Sequence, residues 1–217
     1  MPRAPEAVNP PSMGDFVERT GATVPAQAPA VAPGRPPRAP YDQRMGLHTP
    51  RPDCIDVVIE IPRGSRNKYE YDPVQRAMRL DRRLFTATMY PADYGFVPDT
   101  LADDGDPLDA LVLLEDPTFP GCWVEARPVG LMWMYDEAGG DAKLICLPPT
   151  ERRWKGIDDL ADLSEDLLQE IKHFFDVYKA LEPGKESRTG GFDGREVAWR
   201  VIEEARAAYP GLPTIEH

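Results

Sequence analysis

Asp103-Asp104-Gly105-Asp106-Pro107-Leu108-Asp109 crowds four carboxylates into seven residues, directly before the apolar run Ala110-Leu111-Val112-Leu113-Leu114. Like charges so close repel, and a turn closing around them is unfavourable unless cations neutralise it. Oxygen donors of this hardness select Mg²⁺, Mn²⁺ or Ca²⁺. A solvated acidic loop is the other reading of such a charge run, and the segment by itself leaves both open. Two more specific metal or phosphate motifs fare worse. An EF-hand starting at Asp104 would put Leu108 at its fifth position and Asp109 where glycine is needed. An aspartyl-phosphate phosphatase carries its acidic pair at the end of an apolar strand, whereas here the strand follows.

A second acidic cluster, Asp136-Glu137-Ala138-Gly139-Gly140-Asp141, precedes Ala142-Lys143. Taken alone it reads as a hairpin turn, because Asp and Gly-Gly are turn formers. Lys143 adds a cation beside the carboxylates, which suits a site that holds a metal and an anion together. The remaining basic and aromatic candidates are Lys68, Arg82, Arg83, Tyr90, Tyr94, Tyr178 and Lys179. Lys68 and Glu70 share a strand face, so one can address a phosphate oxygen while the other faces a metal or its water. Tyr178 lies on an apolar helical stripe and reads as core, which turns Lys179 towards solvent.

The elements that must position these groups begin at Asp53. Ile55 to Ile61 is β-branched, with Val57, Ile59 and Ile61 on one face and Asp56, Val58 and Glu60 on the other. Further strands are expected at 68–71, 78–80, 84–89, 110–114, 122–135 and 143–147. Short strands joined by Pro and Gly turns point to a closed or nearly closed antiparallel barrel. Helices come late. Ser164 is a candidate N-cap for a helix that runs to Pro183-Gly184, and a second spans roughly 195–207 before Pro210.

Composition sets the outer bounds. The chain has 217 residues and a formal net charge of -12, which opposes binding a polyanion such as a nucleic acid through a general electrostatic footprint. It has no long apolar run for a membrane span, so the cytoplasm is the expected location. Cys54, Cys122 and Cys146 are widely spaced and suggest reduced structural thiols. Residues 1–52 are rich in Pro and Ala without a hydrophobic period and are expected to form a disordered or loosely draped tail, in which Met13, Phe16 and Val17 read as a solvated segment in preference to a short docking turn. The catalytic domain is expected at 53–209, followed by a short tail at 210–217.

Asp104-Gly105-Asp106-Pro107-Leu108-Asp109 resembles the D-G-D-P-x-D signature of family I soluble inorganic pyrophosphatases. The resemblance continues in order through Val58-Ile59-Glu60-Ile61-Pro62, Lys68-Tyr69-Glu70, Asp81-Arg82, Tyr90-Pro91, Tyr94-Gly95, Asp136 to Lys143, and Tyr178-Lys179, covering about residues 54 to 206. It implies an α+β, β-dominated fold: a twisted five-stranded OB-like barrel with helices packed outside and a site at its mouth. It further implies that Asp104, Asp109 and Asp141 bind activating metals, that Asp136 joins Asp141 around another, and that Glu60 and Glu70 hold metal or its water. Asp106 would accept the proton of the attacking water. Lys68, Arg82, Tyr94, Lys143, Tyr178 and Lys179 would grip phosphate, with Tyr90 in support. Pyrophosphate is the implied substrate, with several Mg²⁺ ions per site, Mn²⁺ as a substitute, and a homo-oligomer, a hexamer ahead of a dimer. The competing functions are a metal-dependent phosphatase acting on nucleotides or polyphosphate, and a non-enzymatic acidic cation-binding barrel.

Overall fold

A computed structural model describes residues 50–136 and 139–211. The N-terminal segment through residue 49 with its candidate docking turn, residues 137–138, and the end of the chain from 212 lie outside the described residues.

Strand β1, Ile55–Ile61, turns Val57, Ile59 and Ile61 fully inward. Its outer residue Glu60 is only partly exposed, because a separate hairpin, β2 (Asn67–Asp72) and β3 (Ala77–Arg83), contacts it. Strands β4 (Asp93–Phe96), β5 (Asp109–Val112), β6 (Trp123–Asp136) and β7 (Gly139–Leu147) complete a ring in the order β1-β4-β5-β7-β6, and β6 pairs back to β1. This is the expected five-stranded barrel, but it is not wholly antiparallel. β5 and β7 run parallel, because the chain passes through the long strand β6 between them. An eighth strand, β8 (Ser187–Gly194), extends the sheet from β6.

The region 84–89, expected as a strand, bends instead and leaves Phe85 and Met89 exposed. Arg66 explains the break: its Nη2 donates to the carbonyls of Leu84 (3.3 Å) and Thr86 (2.5 Å), taking acceptors a ladder would need. β4 carries Asp93 and Gly95 where a core strand would show apolar residues. Asp93 is fully buried and accepts from the Arg63 and Thr118 amides (2.8 Å each) and the Thr118 hydroxyl (2.5 Å), so its charge is satisfied. At Gly95 a Cβ would lie 1.9 Å from the Val58 carbonyl oxygen, so the β1–β4 approach demands glycine.

Helix α1, Glu165–Val177, starts at Ser164, whose hydroxyl accepts from the Leu167 amide at 3.3 Å, with Glu165 and Asp166 in its first turn. It ends before the expected Pro183, at Tyr178, and buries Ile171, Phe174 and Phe175 against the barrel. Helix α2, Arg195–Ala208, covers another part of the barrel with Ala198, Ile202 and Ala205. Its Gly194 N-cap has no side-chain acceptor, and Asp159 supplies one to the Arg195 amide at 3.0 Å.

Candidate active site

In the parallel β5–β7 ladder Asp109 stands opposite Lys143, and Asp141 lies two residues before Lys143 on the same face. The Lys143 side chain is only 2 % exposed and spends its three donors at once. It reaches Asp109 Oδ2 and Asp141 Oδ2 at 2.7 Å each and the Tyr94 hydroxyl at 3.1 Å. Tyr94 in turn donates to Asp109. Burial alone would neutralise this lysine, but the two carboxylates outweigh it and hold the ammonium charged well above its ordinary range. Burial pushes Asp141 upward against the pull of Lys143, with Asp109 adding to the rise.

The acidic loop is pinned to this end of the barrel. The buried Thr100 hydroxyl accepts from the Leu108 amide at 2.9 Å and donates to the Val97 carbonyl at 2.6 Å. Gly105 takes φ +95°, which the turn requires, and Asp104 Oδ1 accepts from the Asp106 amide at 3.1 Å. Asp106 is raised above the usual carboxylate range, first by burial and then by the charges of Asp104, Asp109 and Glu70. Glu60 is pushed up to about 7, mainly by burial and also by Asp109 and Glu70, although the Tyr71 amide donates to it at 2.7 Å.

The hairpin brings the cations to the same place. Lys68 pairs with Glu70 and lies 3.8 Å from Asp81. Arg82 is held by Asp81 and, through both carboxylate oxygens, by Glu182 at 3.1 and 2.9 Å. Beneath them Tyr90 packs at a tilt against Tyr94 (5.4 Å) and Phe174 (4.8 Å), and Tyr178 stacks on Phe174 (5.3 Å). Tyr90 feels the charges of Lys143, Asp109 and Arg82, so the aromatic floor and the polar rim belong to one cluster. Tyr178 is in the core as its stripe requires. Lys179 is not turned to solvent: it is 7 % exposed, with Nζ 5.7 Å from the Tyr178 ring. The chain leaves the helix at Tyr178, so the helical face no longer governs the next residue. Asp136 ends β6 opposite Gly139, and its side chain lies outside the description.

Two groups in this cluster escape sequence reasoning as site residues, Asp81 and Glu182. Asp81 has a weak signal in its adjacency to Arg82. Glu182 has none, since its partner is 100 positions away. A separate cavity of about 340 Å³, between Leu113, Leu114, Trp154 and the start of α1, contains none of these carboxylates.

The cluster suits a hard divalent cation. Its donors are carboxylate oxygens, and Glu60 and Asp106 are both raised in part by their neighbours' charge, so the group is under-neutralised as it stands. Among the described residues no three such side chains already converge at coordinating distance. The Lys143 ammonium draws Asp109 and Asp141 to itself, and a cation has to compete for those oxygens.

Known proteins show the same arrangement of chain. A family model described as inorganic pyrophosphatase matches residues 57–210. An inorganic pyrophosphatase of Streptomyces coelicolor is 56 % identical over 151 residues, 70 % of this chain and 93 % of that protein. One from Thermus thermophilus is 51 % identical over 162 residues, 74 % of this chain and 93 % of that protein. The crystal structure of a Thermus thermophilus inorganic pyrophosphatase superposes with a TM-score of 0.73 at 49 % identity, covering 76 % of this chain and 96 % of that one. With a model match over most of the chain and relatives covered almost end to end, the chain belongs to the inorganic pyrophosphatase family.

Proposed function

We propose that this protein hydrolyses inorganic pyrophosphate to two phosphates by direct attack of water. The observation that carries the reading is the buried Lys143 fixed between Asp109 and Asp141 at the edge of an under-neutralised carboxylate cluster. Pyrophosphate is a polyanion that repels hydroxide, so a site that hydrolyses it must supply both positive charge and a base. Asp104, Asp109 and Asp141, with Asp136, Glu60 and Glu70, would hold several Mg²⁺ ions, or Mn²⁺ in their place. Bound there, divalent cations neutralise substrate charge and make water more acidic.

Asp106 takes the proton of the attacking water, and its raised affinity for protons suits that task. The water oxygen forms the new bond to one phosphorus, and the bridging oxygen leaves with the other phosphate. Lys68, Arg82, Lys143 and Lys179 grip the phosphates of the bound substrate as well as the charge on the departing group, and Tyr94 and Tyr178 orient them. Tyr90 supports Tyr94 from below. No phosphoenzyme is formed in this step, because water itself is the nucleophile.

The test is phosphate release from pyrophosphate, ATP and a phosphomonoester side by side in Mg²⁺. Fast release from pyrophosphate alone is expected, whereas comparable rates with ATP would assign the site to a broader phosphatase. We also infer a cytoplasmic homo-oligomer, a hexamer ahead of a dimer, that binds neither nucleic acid nor membrane. Three free thiols support the compartment, the exposed Phe119 and Trp123 support contact between copies, and the net acidity opposes polyanions. No helix among the described residues is long and apolar enough to cross a membrane. Light scattering of the purified protein tests the assembly, and a monomeric mass would refute it.

A further inference from the structure

Glu182 is an anomaly in the turn that follows α1. Its side chain is 5 % exposed, yet it faces the phosphate-gripping side of the site, where another negative charge weakens attraction for an anion. Stability does not account for it, because a buried ion pair gains little over apolar residues of similar volume. Its geometry does. Glu182 Oε1 accepts from Arg82 Nε at 3.1 Å and Oε2 pairs with Nη2 at 2.9 Å, so the fork fixes the plane of the guanidinium as well as its position. Asp81 takes one donor of Nη1. Of the five N–H donors of an arginine, one on each Nη is left for a ligand.

The backbone of Glu182 is fixed too. Its amide donates to the Lys179 carbonyl at 2.8 Å, and its own carbonyl accepts from the Lys185 amide at 3.3 Å. One short turn therefore locks a hairpin cation, Arg82, to the segment that carries Lys179.

We propose that Glu182 is a positioning residue for the reaction: it aims the two remaining donors of Arg82 at the substrate and holds Arg82 and Lys179 in one frame. The inference rests on the assignment of Arg82 to substrate binding. Without the fork the guanidinium keeps its charge but loses its direction, so substrate binding weakens more than turnover.

The test is a double-mutant cycle with Glu182→Gln, which keeps the size of the side chain and removes its charge, and Arg82→Gln, which shortens the side chain and removes the guanidinium, read as KM and kcat for pyrophosphate at saturating Mg²⁺. Glu182→Gln is expected to raise KM on the order of 10-fold while kcat changes by less than about threefold, and Arg82→Gln to raise KM at least as much. The double variant should be no worse than Arg82→Gln alone, because Glu182 acts only through Arg82. A merely structural Glu182 would give additive losses, or losses in kcat and melting temperature with KM unmoved, and either result overturns the proposal. An unchanged KM in Glu182→Gln beside a raised KM in Arg82→Gln overturns it as well. If Arg82→Gln itself leaves KM unchanged, the failure lies one step earlier, in placing Arg82 on the substrate.

Discussion

Asp104 and Asp106 are two residues apart in one turn, joined by the hydrogen bond from the Asp106 amide to Asp104 Oδ1, yet the proposed chemistry separates them. Burial, and then the charge of Asp104, raise the proton affinity of Asp106, the direction that suits a proton acceptor. Asp106→Asn should lose on the order of 10²–10⁴ in kcat, the usual contribution of a general base, with a smaller change in metal affinity. Asp104→Asn should instead raise the Mg²⁺ concentration for half-maximal activity, because a shared site loses an anionic ligand. Full metal titrations at saturating pyrophosphate compare the two. Rescue of Asp106→Asn by extra Mg²⁺, with Asp104→Asn dead at every concentration, would reverse the assignments.

At the scale of elements, Asp176 joins α1 to β8. It accepts from Lys172 Nζ at 2.7 Å, one turn earlier, and from the Thr189 hydroxyl and amide at 2.6 and 3.0 Å. Burial works to raise it, but these donors prevail and hold its carboxyl below the usual range. A depressed carboxylate contributes fully above its unfolded value of about 4 and loses that contribution as pH falls through the lower folded value. The pair with Lys172 is one-third exposed and screened, so Asp176→Asn should cost under about 1 kcal/mol, a few degrees of melting temperature. The gap between wild type and variant should close below about pH 4. A gap that stays constant down to pH 2 would show that shape and not charge is at stake.

This joint also shows where the sequence stops being readable. β1 announces itself because Ile55–Ile61 alternates and is β-branched, and the Ser164 cap announces α1. β8 does not: Ser-Arg-Thr-Gly-Gly-Phe-Asp-Gly reads as loop, and only pairing with β6 makes it a strand. β4 hides likewise behind the buried Asp93, whose three donors come from residues far along the chain. The acidic loop and Lys143 could be picked out because carboxylates crowd locally, whereas Glu182 depends on a contact that no local pattern encodes.

For the whole molecule, the carboxylate cluster has no catalytic use without cations, so excess EDTA should abolish phosphate release and Mg²⁺ should restore it. Undiminished turnover in chelator would sink the proposed mechanism. The last question is how much of the chain the enzyme needs. The family match begins at residue 57, and the described residues of the barrel, its helices and its carboxylate cluster all lie beyond residue 50. The aligned part of this chain spans 93 % of the Streptomyces coelicolor pyrophosphatase, so that protein is built almost wholly from the equivalent of this core. The first fifty residues supply none of the proposed ligands, and their Pro- and Ala-rich sequence shows no periodic apolar face. A chain starting at Arg51 should therefore fold and keep kcat and KM for pyrophosphate within about twofold of the full protein at saturating Mg²⁺, since a sequence without an apolar period brings little surface to bury. The comparison must include mass by light scattering, because a segment outside the catalytic core can still act on assembly. If the truncated protein is insoluble, or loses most of its activity at saturating metal, residues 1–50 are part of the working structure, and the enzyme is larger than its family core.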